Sequence, residues 1–176
     1  MTNSDAFRKY QLREGDNAAW VWEHQALTRA RYSAGNREVG HIFDAVRAEV
    51  LSQERQVEYL RNEILEMRHK VHAGHPNASG EFDLKHDAGG MVDIEFMVQF
   101  LVLAYSHQYP QLIGNLGNIA LLRIAGELGL IQTSEATTVG NAYRLLRALQ
   151  HRLRLDGAEK TRITNDENPE MMAARD

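Results

Sequence analysis

The chain has no cysteine, only three prolines, and no apolar run long enough to cross a bilayer. Without cysteine there can be neither a disulfide framework nor a thiolate metal site, a usage in keeping with a cytoplasmic protein. The longest apolar stretch, Phe96 to Tyr105, is interrupted by Gln99 and is about half the length a membrane helix needs, so no membrane partner is expected. The opening residues MTNSDAFRKY lack the apolar core of a signal peptide. Positive charge is also short: 20 Lys and Arg against 24 Asp and Glu leave a net charge of −4. A general nucleic-acid binder needs a basic face to displace counterions from phosphates, and that class is set aside. No Walker loop and no Ser–His–acid arrangement appears. No Asp-x-Asp pair occurs either, although nucleotidyl transfer usually needs one to hold magnesium against a triphosphate.

What is present is helical patterning. At 176 residues, with 43% hydrophobic and 25% charged residues, the composition is that of a globular domain. Pro76, Pro110 and Pro169 fall where the apolar periodicity stops. The spacing predicts a first helix capped at Ser4 or Asp5 and running through Leu12. A second is capped at Asp16 and stops at Gly35, and a third covers Val39 to Leu51. A fourth spans about Gln53 to Ala73, with Val57, Leu60, Ile64, Leu65 and Met67 on one side. Phe82 to Lys85 reads as extended but too short to build a sheet. A central helix follows from Met91 to Gln108. The last two start near Asn115 or Asn118 and at Thr133 or Ser134. Apolar stripes this wide specify an all-α protein, a helical bundle of six or seven helices over residues 1–155. Leu101, Leu146 and Leu149 are expected in its core. Residues 156–176 read as a polar, incomplete tail.

Residues 85–99, KHDAGGMVDIEFMVQ, carry the densest chemistry. Gly89 and Gly90 permit backbone conformations and close approaches closed to other residues. The helix that begins after them offers free N–H groups and a positive dipole end suited to an anion, and Lys85 upstream adds a cation. Asp93 and Glu95 suit the dipole of that first turn but would repel a phosphate. Two apart on a helix, they face different ways and do not chelate one ion, so each calls for a salt-bridge or hydrogen-bond partner. His69, His72 and His75 have a spacing open to metal, yet they straddle a helix end where imidazoles also favour the dipole. His86–Asp87 has the form of a phosphohydrolase dyad without the other ligands. Trp20 and Trp22 are expected as packing anchors. Arg144, Arg147, Arg152 and Arg154 wind round their helix as a solvated face. No metal-binding residue and no catalytic residue is singled out.

Three segments together carry a resemblance: Trp20-Val-Trp-Glu-His-Gln-Ala-Leu-Thr-Arg-Ala-Arg31, Phe82-Asp-Leu-Lys85, and Gly89-Gly-Met-Val-Asp-Ile-Glu-Phe96 with Gln99. Asn115-Leu-Gly-Asn-Ile through Leu130 and Leu146-Arg-Ala-Leu-Gln-His-Arg-Leu-Arg154 extend it. The combination, from Ala19 to Leu155, resembles the glutamine synthetase adenylyltransferase family. The Gly-Gly-x-x-Asp-Ile stretch alone is equally similar to the related uridylyltransferase of the PII signalling protein.

The resemblance implies a two-headed bacterial, cytoplasmic enzyme of nitrogen regulation. One half transfers AMP from ATP to a tyrosine of glutamine synthetase, and the other removes it. The PII protein and glutamine set the balance. Each half pairs a magnesium-binding nucleotidyltransferase core with a helical domain, and this chain resembles the helical domain of the adenylylating half. It implies that ATP and Mg2+ belong to the parent enzyme, with neither bound to this piece alone. It further implies Lys85, Gly89 and Gly90 at the nucleotide cleft, and Arg29 and Arg31 as phosphate or core-docking contacts. Glu23 would orient one of those arginines. The alternative is a pure interaction module that docks PII or glutamine synthetase without touching nucleotide. A metal phosphohydrolase built on His86–Asp87 is a weaker third reading.

Overall fold

Helix formation follows the apolar periodicity closely. The computed structural model describes residues 3–13, 18–114 and 116–164, and among these it contains seven α-helices. They are α1 (Asn3–Gln11), α2 (Val21–Arg29), α3 (Arg37–Leu51), α4 (Val57–Ala73), α5 (Met91–Tyr105), α6 (Asn118–Glu127) and α7 (Thr133–Leu155). The all-α assignment holds.

Several boundaries differ from expectation for local reasons. Asp16, the expected cap of the second helix, lies outside the described residues. The observed start is Trp20, whose amide donates to the Glu23 carboxylate at 2.8 Å. That helix stops at Arg29 because Ala30 is extended, not at Gly35, and Arg31 therefore lies beyond the helix. Asn36 caps α3 by accepting the N–H groups of Glu38 and Val39. Gln132, rather than Thr133 or Ser134, precedes α7, and Glu135 reaches back to its amide at 3.2 Å. α5 ends at Tyr105, and Pro110–Ile113 form a single 3-10 turn.

The chain divides into two compact units, Met1–Ile64 with Gln99–Asn115, and Leu65–Val98 with Leu116–Asp176. In the first, α3 packs against α1 and α2, and Val46, Val50, Leu51, Leu60, Leu103 and Leu112 are buried. In the second, α6 packs along α7, with Leu121, Leu122, Ala125 and Leu146 inside. Leu101 is buried as expected, whereas Leu149 is only half-buried.

The second unit also holds a short pairing that the periodicity did not anticipate. Phe82–Asp83 (β1) pairs antiparallel with Arg162–Ile163 (β2), Phe82 opposite Ile163. Phe82, Thr161 and Ile163 are buried. The segment after Asp156 is thus part of the fold at least to residue 164, and the extended 82–85 stretch does find a partner strand. Trp20 and Trp22 are 64% and 48% exposed, so neither is a packing anchor. Leu65, also placed inward by the pattern, is exposed.

Candidate functional site

The Gly-Gly loop of the second unit is built from side chains that hold backbone. The Asp83 carboxylate accepts the N–H groups of Lys85 at 2.9 Å and His86 at 3.0 Å. Burial pushes that carboxyl up, but the two amides, with His86 and Arg162 beside it, outweigh burial and hold its pKa below the usual value. Asp87 accepts from the Asp83 amide at 2.8 Å and from the Asn77 side chain at 2.7 Å. The His86–Asp87 pair is therefore no hydrolase dyad, because the carboxylate is engaged in shaping the loop.

The end of the loop is closed by its own carbonyls. Met91 donates to Leu84 O at 3.0 Å, Val92 to Lys85 O at 3.1 Å and Gly90 to Asp87 O at 2.9 Å. Gly89 donates to Asp93 Oδ2 at 2.6 Å and has a φ of +81°, where glycine alone is unstrained. Asp93 is also ion-paired with Arg68 from α4, whose Nη2 donates to His86 O at 2.9 Å. Glu95 accepts the Tyr143 hydroxyl at 2.9 Å, an α5-to-α7 tie within this unit. Asp93 and Glu95 thus each find the partner that their spacing required.

Gly90 is buried for a reason the sequence did not reveal. A β-carbon there would lie 2.9 Å from Asp87 O, 3.0 Å from Lys85 O and 3.1 Å from Leu84 O. The close approach is to the loop's own backbone. The first amides of α5, which the pattern left free for an anion, are already bonded. Lys85 itself is exposed and lines a cleft of about 300 Å³ with His75, Asp83, His86, Arg154 and Arg162.

The histidines of the α4 end serve the same loop. His72 Nδ1 donates to His86 O at 3.2 Å, and the rings of His75 and His86 stack 3.8 Å apart at 8°. Burial, with His75 next to it, lowers the His86 pKa. Among the described residues no group of three or more His, Asp or Glu is placed to hold a metal ion.

The first unit places the other candidates. Glu23 accepts the Tyr10 hydroxyl at 2.7 Å and 2.8 Å as well as the Trp20 amide, so its work is to tie α1 to the start of α2 rather than to orient an arginine. Arg29 and Arg31 are both exposed, one in the last turn of α2 and one just beyond it.

Two polar residues unremarked in the sequence are more deeply set. Arg47 of α3 is 6% exposed and donates to Leu27 O, Thr28 O and Ile113 O, each at 2.8 Å. His24 is fully buried; its Nε2 donates to Gln11 O at 2.9 Å, while Nδ1 accepts from Arg55 Nη1 at 3.0 Å. A guanidinium has no acceptor, so these partners fix the neutral imidazole. A signal for Arg47 and Arg68 existed: each sits four residues from a buried apolar neighbour on its own helix, Leu51 and Ile64 respectively.

His24 makes stability pH-dependent. Burial, reinforced by Arg55, pushes its pKa down to about 4 from 6.5. Between those values the unfolded imidazole binds a proton that the folded one refuses, so this contribution is whole above pH 6.5 and is lost as pH falls toward 4. The expected loss from this residue is roughly 2–3 kcal/mol. Urea midpoints at pH 7 and pH 4.5 measure it, and His24→Gln should flatten the difference.

Comparison with known proteins places the chain. The family model described as GlnD PII-uridylyltransferase matches residues 58–175. Three similar proteins all bear the name bifunctional glutamine synthetase adenylyltransferase/adenylyl-removing enzyme. That of Burkholderia mallei (strain ATCC 23344) is 60% identical over 176 residues, 99% of this chain and 19% of the enzyme. That of Ralstonia nicotianae is 61% identical over 163 residues, 93% of this chain and 17% of the enzyme. That of Aromatoleum aromaticum is 57% identical over 157 residues, 89% and 16% respectively. The chain thus spans less than a fifth of the length of the curated relatives it matches. With two thirds of its length under one family model, the chain belongs to the GlnD PII-uridylyltransferase family.

Proposed function

We propose that the chain is the helical domain serving the adenylylating half of a glutamine synthetase adenylyltransferase, which moves AMP from ATP to a tyrosine of glutamine synthetase. The observation that carries this reading is identity of 57–61%, running through most of the chain, to much longer enzymes of that name. Among the described residues Asp93 is taken by Arg68 and the Gly89 amide, and no group of three or more His, Asp or Glu is placed to hold a metal ion. In this reading ATP and Mg2+ sit on the nucleotidyltransferase core of the parent enzyme. This domain completes the enzyme without being catalytic, in the bacterial cytoplasm, with glutamine synthetase and the PII protein as partners.

Within that reading Lys85 presents its exposed ammonium to the nucleotide phosphates, and Gly89 and Gly90 hold the turn that positions it. Arg29 and Arg31 contact phosphate or dock the core. In the full-length enzyme Lys85→Ala should weaken apparent ATP binding by roughly 1–3 kcal/mol, the scale of one charge-assisted hydrogen bond. Steady-state kinetics against ATP measure this, with circular dichroism as the folding control. The 176-residue chain alone should transfer no label from ATP to glutamine synthetase. Unchanged ATP kinetics in Lys85→Ala would favour the second reading, an interaction module that docks PII or glutamine synthetase. One observation supports that alternative: the loop's amides and its close approach are used by its own backbone, with no nucleotide needed to explain them.

A further inference from the structure

A pocket in the first unit holds two arginines and little to neutralise them. It has a volume of about 460 Å³ and is lined by Arg13, Gln53, Glu54, Arg55, Gln56 and Tyr59, among others. That size is in the range of small-molecule sites. Arg55 is fixed from behind: Nη1 donates to His24 Nδ1 at 3.0 Å and Nη2 to Val50 O at 3.0 Å. Its Nε is buried without a hydrogen-bond partner. The His24 ring that holds it is fully buried and anchored to Gln11 O, so the guanidinium is rigidly placed.

Charge makes the arrangement incomplete. Burial lowers the pKa of Arg55 to about 10, and among the described residues the charge that adds to the effect is Arg13, another cation. Glu54 also lines the pocket, but the hydrogen bonds of Arg55 go to His24 and Val50. A cation that is largely desolvated and faces a like charge is unfavourable unless an anion joins it.

The backbone at Arg13 points the same way. It follows the last turn of α1, with its N–H donating to Tyr10 O at 3.2 Å, and has a φ of +62°. Among the described residues other than glycine, only Arg13 has a positive φ. This is the left-handed helix-end position that glycine usually fills, and arginine there costs about 1 kcal/mol. Backbone strain of this kind collects at ligand sites.

We infer that Arg13 and Arg55 form a binding site for the oxyanion of a small molecule, a carboxylate or a phosphate. Guanidinium groups suit both: Arg13 offers a planar fork to two oxygens, and Arg55, with one N–H of each Nη already used, adds the remaining Nη donors. Arg55 is the fixed half of the site and Arg13 the exposed, adjustable half. The polar groups of Gln53, Gln56 and Tyr59 are available to the remainder of the ligand. This site is independent of the Lys85 loop, which belongs to the second unit.

Isothermal titration of the protein carrying this chain, at constant ionic strength in chloride, tests the inference with two probes, inorganic phosphate and succinate. Saturable binding of at least one is expected, and the stronger probe identifies which oxyanion the site prefers. Arg13→Gln should weaken that binding tenfold or more while leaving the melting temperature within a degree or two, since Arg13 is exposed. Arg123→Gln, an exposed residue of the second unit, should leave it unchanged. Absence of saturable heat with both probes would overturn the proposal, as would full affinity in Arg13→Gln. Loss of binding in Arg123→Gln would place the anion elsewhere and also overturn it.

Discussion

Gly90→Val should cost about 3–5 kcal/mol of stability, a large effect for one exchange of a small residue. The valine β-carbon would stand about 3 Å from three carbonyl oxygens, those of Leu84, Lys85 and Asp87. None is the end of a flexible side chain, so relief requires moving the loop. The carbonyls that must shift are the acceptors of Met91, Val92 and Gly90 itself, and these bonds start α5. The strained turn would also draw Asp93 away from Arg68 and from the Gly89 amide. A lowered urea midpoint together with faster hydrogen exchange at Met91 and Val92 is the expected result. From sequence, the same mutation in the full-length enzyme is expected to strain the turn and block the approach of a nucleotide or the core, abolishing AMP transfer with helical content intact. The geometry carries the first of these causes, and an unchanged urea midpoint would return the explanation to the ligand. Gly89→Ala tests the backbone conformation, since its φ of +81° costs an alanine about 1 kcal/mol.

Arg47→Met should also be severe, at about 3–5 kcal/mol. Methionine keeps much of the side chain's length and its apolar packing, so the change isolates the guanidinium. Three carbonyls, of Leu27, Thr28 and Ile113, would lose their donor inside the first unit. Each buried acceptor left unpaired costs ~1–3 kcal/mol, part of which water recovers at the half-buried Ile113 end. Burial already holds the Arg47 pKa below the ordinary arginine value, with Asp44 opposing, so the native state tolerates this cation only because its bonds are satisfied. Arg47→Lys keeps the charge but not the fork that spans α2's end and the 3-10 turn, and should recover less than half of the loss. Urea denaturation of the three proteins ranks them. A methionine variant as stable as the parent would mean that the three carbonyls find other donors.

Apolar spacing by itself determined the helices, since a helix depends on neighbours three and four residues away. That is why Met91 to Tyr105, apolar apart from Asp93, Glu95 and Gln99, was legible as the central helix, with Pro110 beyond its end. The segments around Trp20, Phe82 and Gly89 were enough to point to the family, and Asp93 and Glu95 at a helix start announced a need for partners. Which partners, only the tertiary structure decided. Arg68 and Tyr143 lie 25 and 48 residues from the carboxylates they meet, and β1 pairs with a strand near residue 162. Distances of that kind are set by packing, to which local periodicity is blind. The same limit explains the tryptophans, which read as core by their size yet stand in solvent, and Arg47, which reads as surface by its charge yet is buried. For Gly90 the residue type told that something comes close. Only the folded loop shows that what comes close is its own backbone, because the carbonyls of residues 84, 85 and 87 have no other place to turn as they meet the first amides of α5.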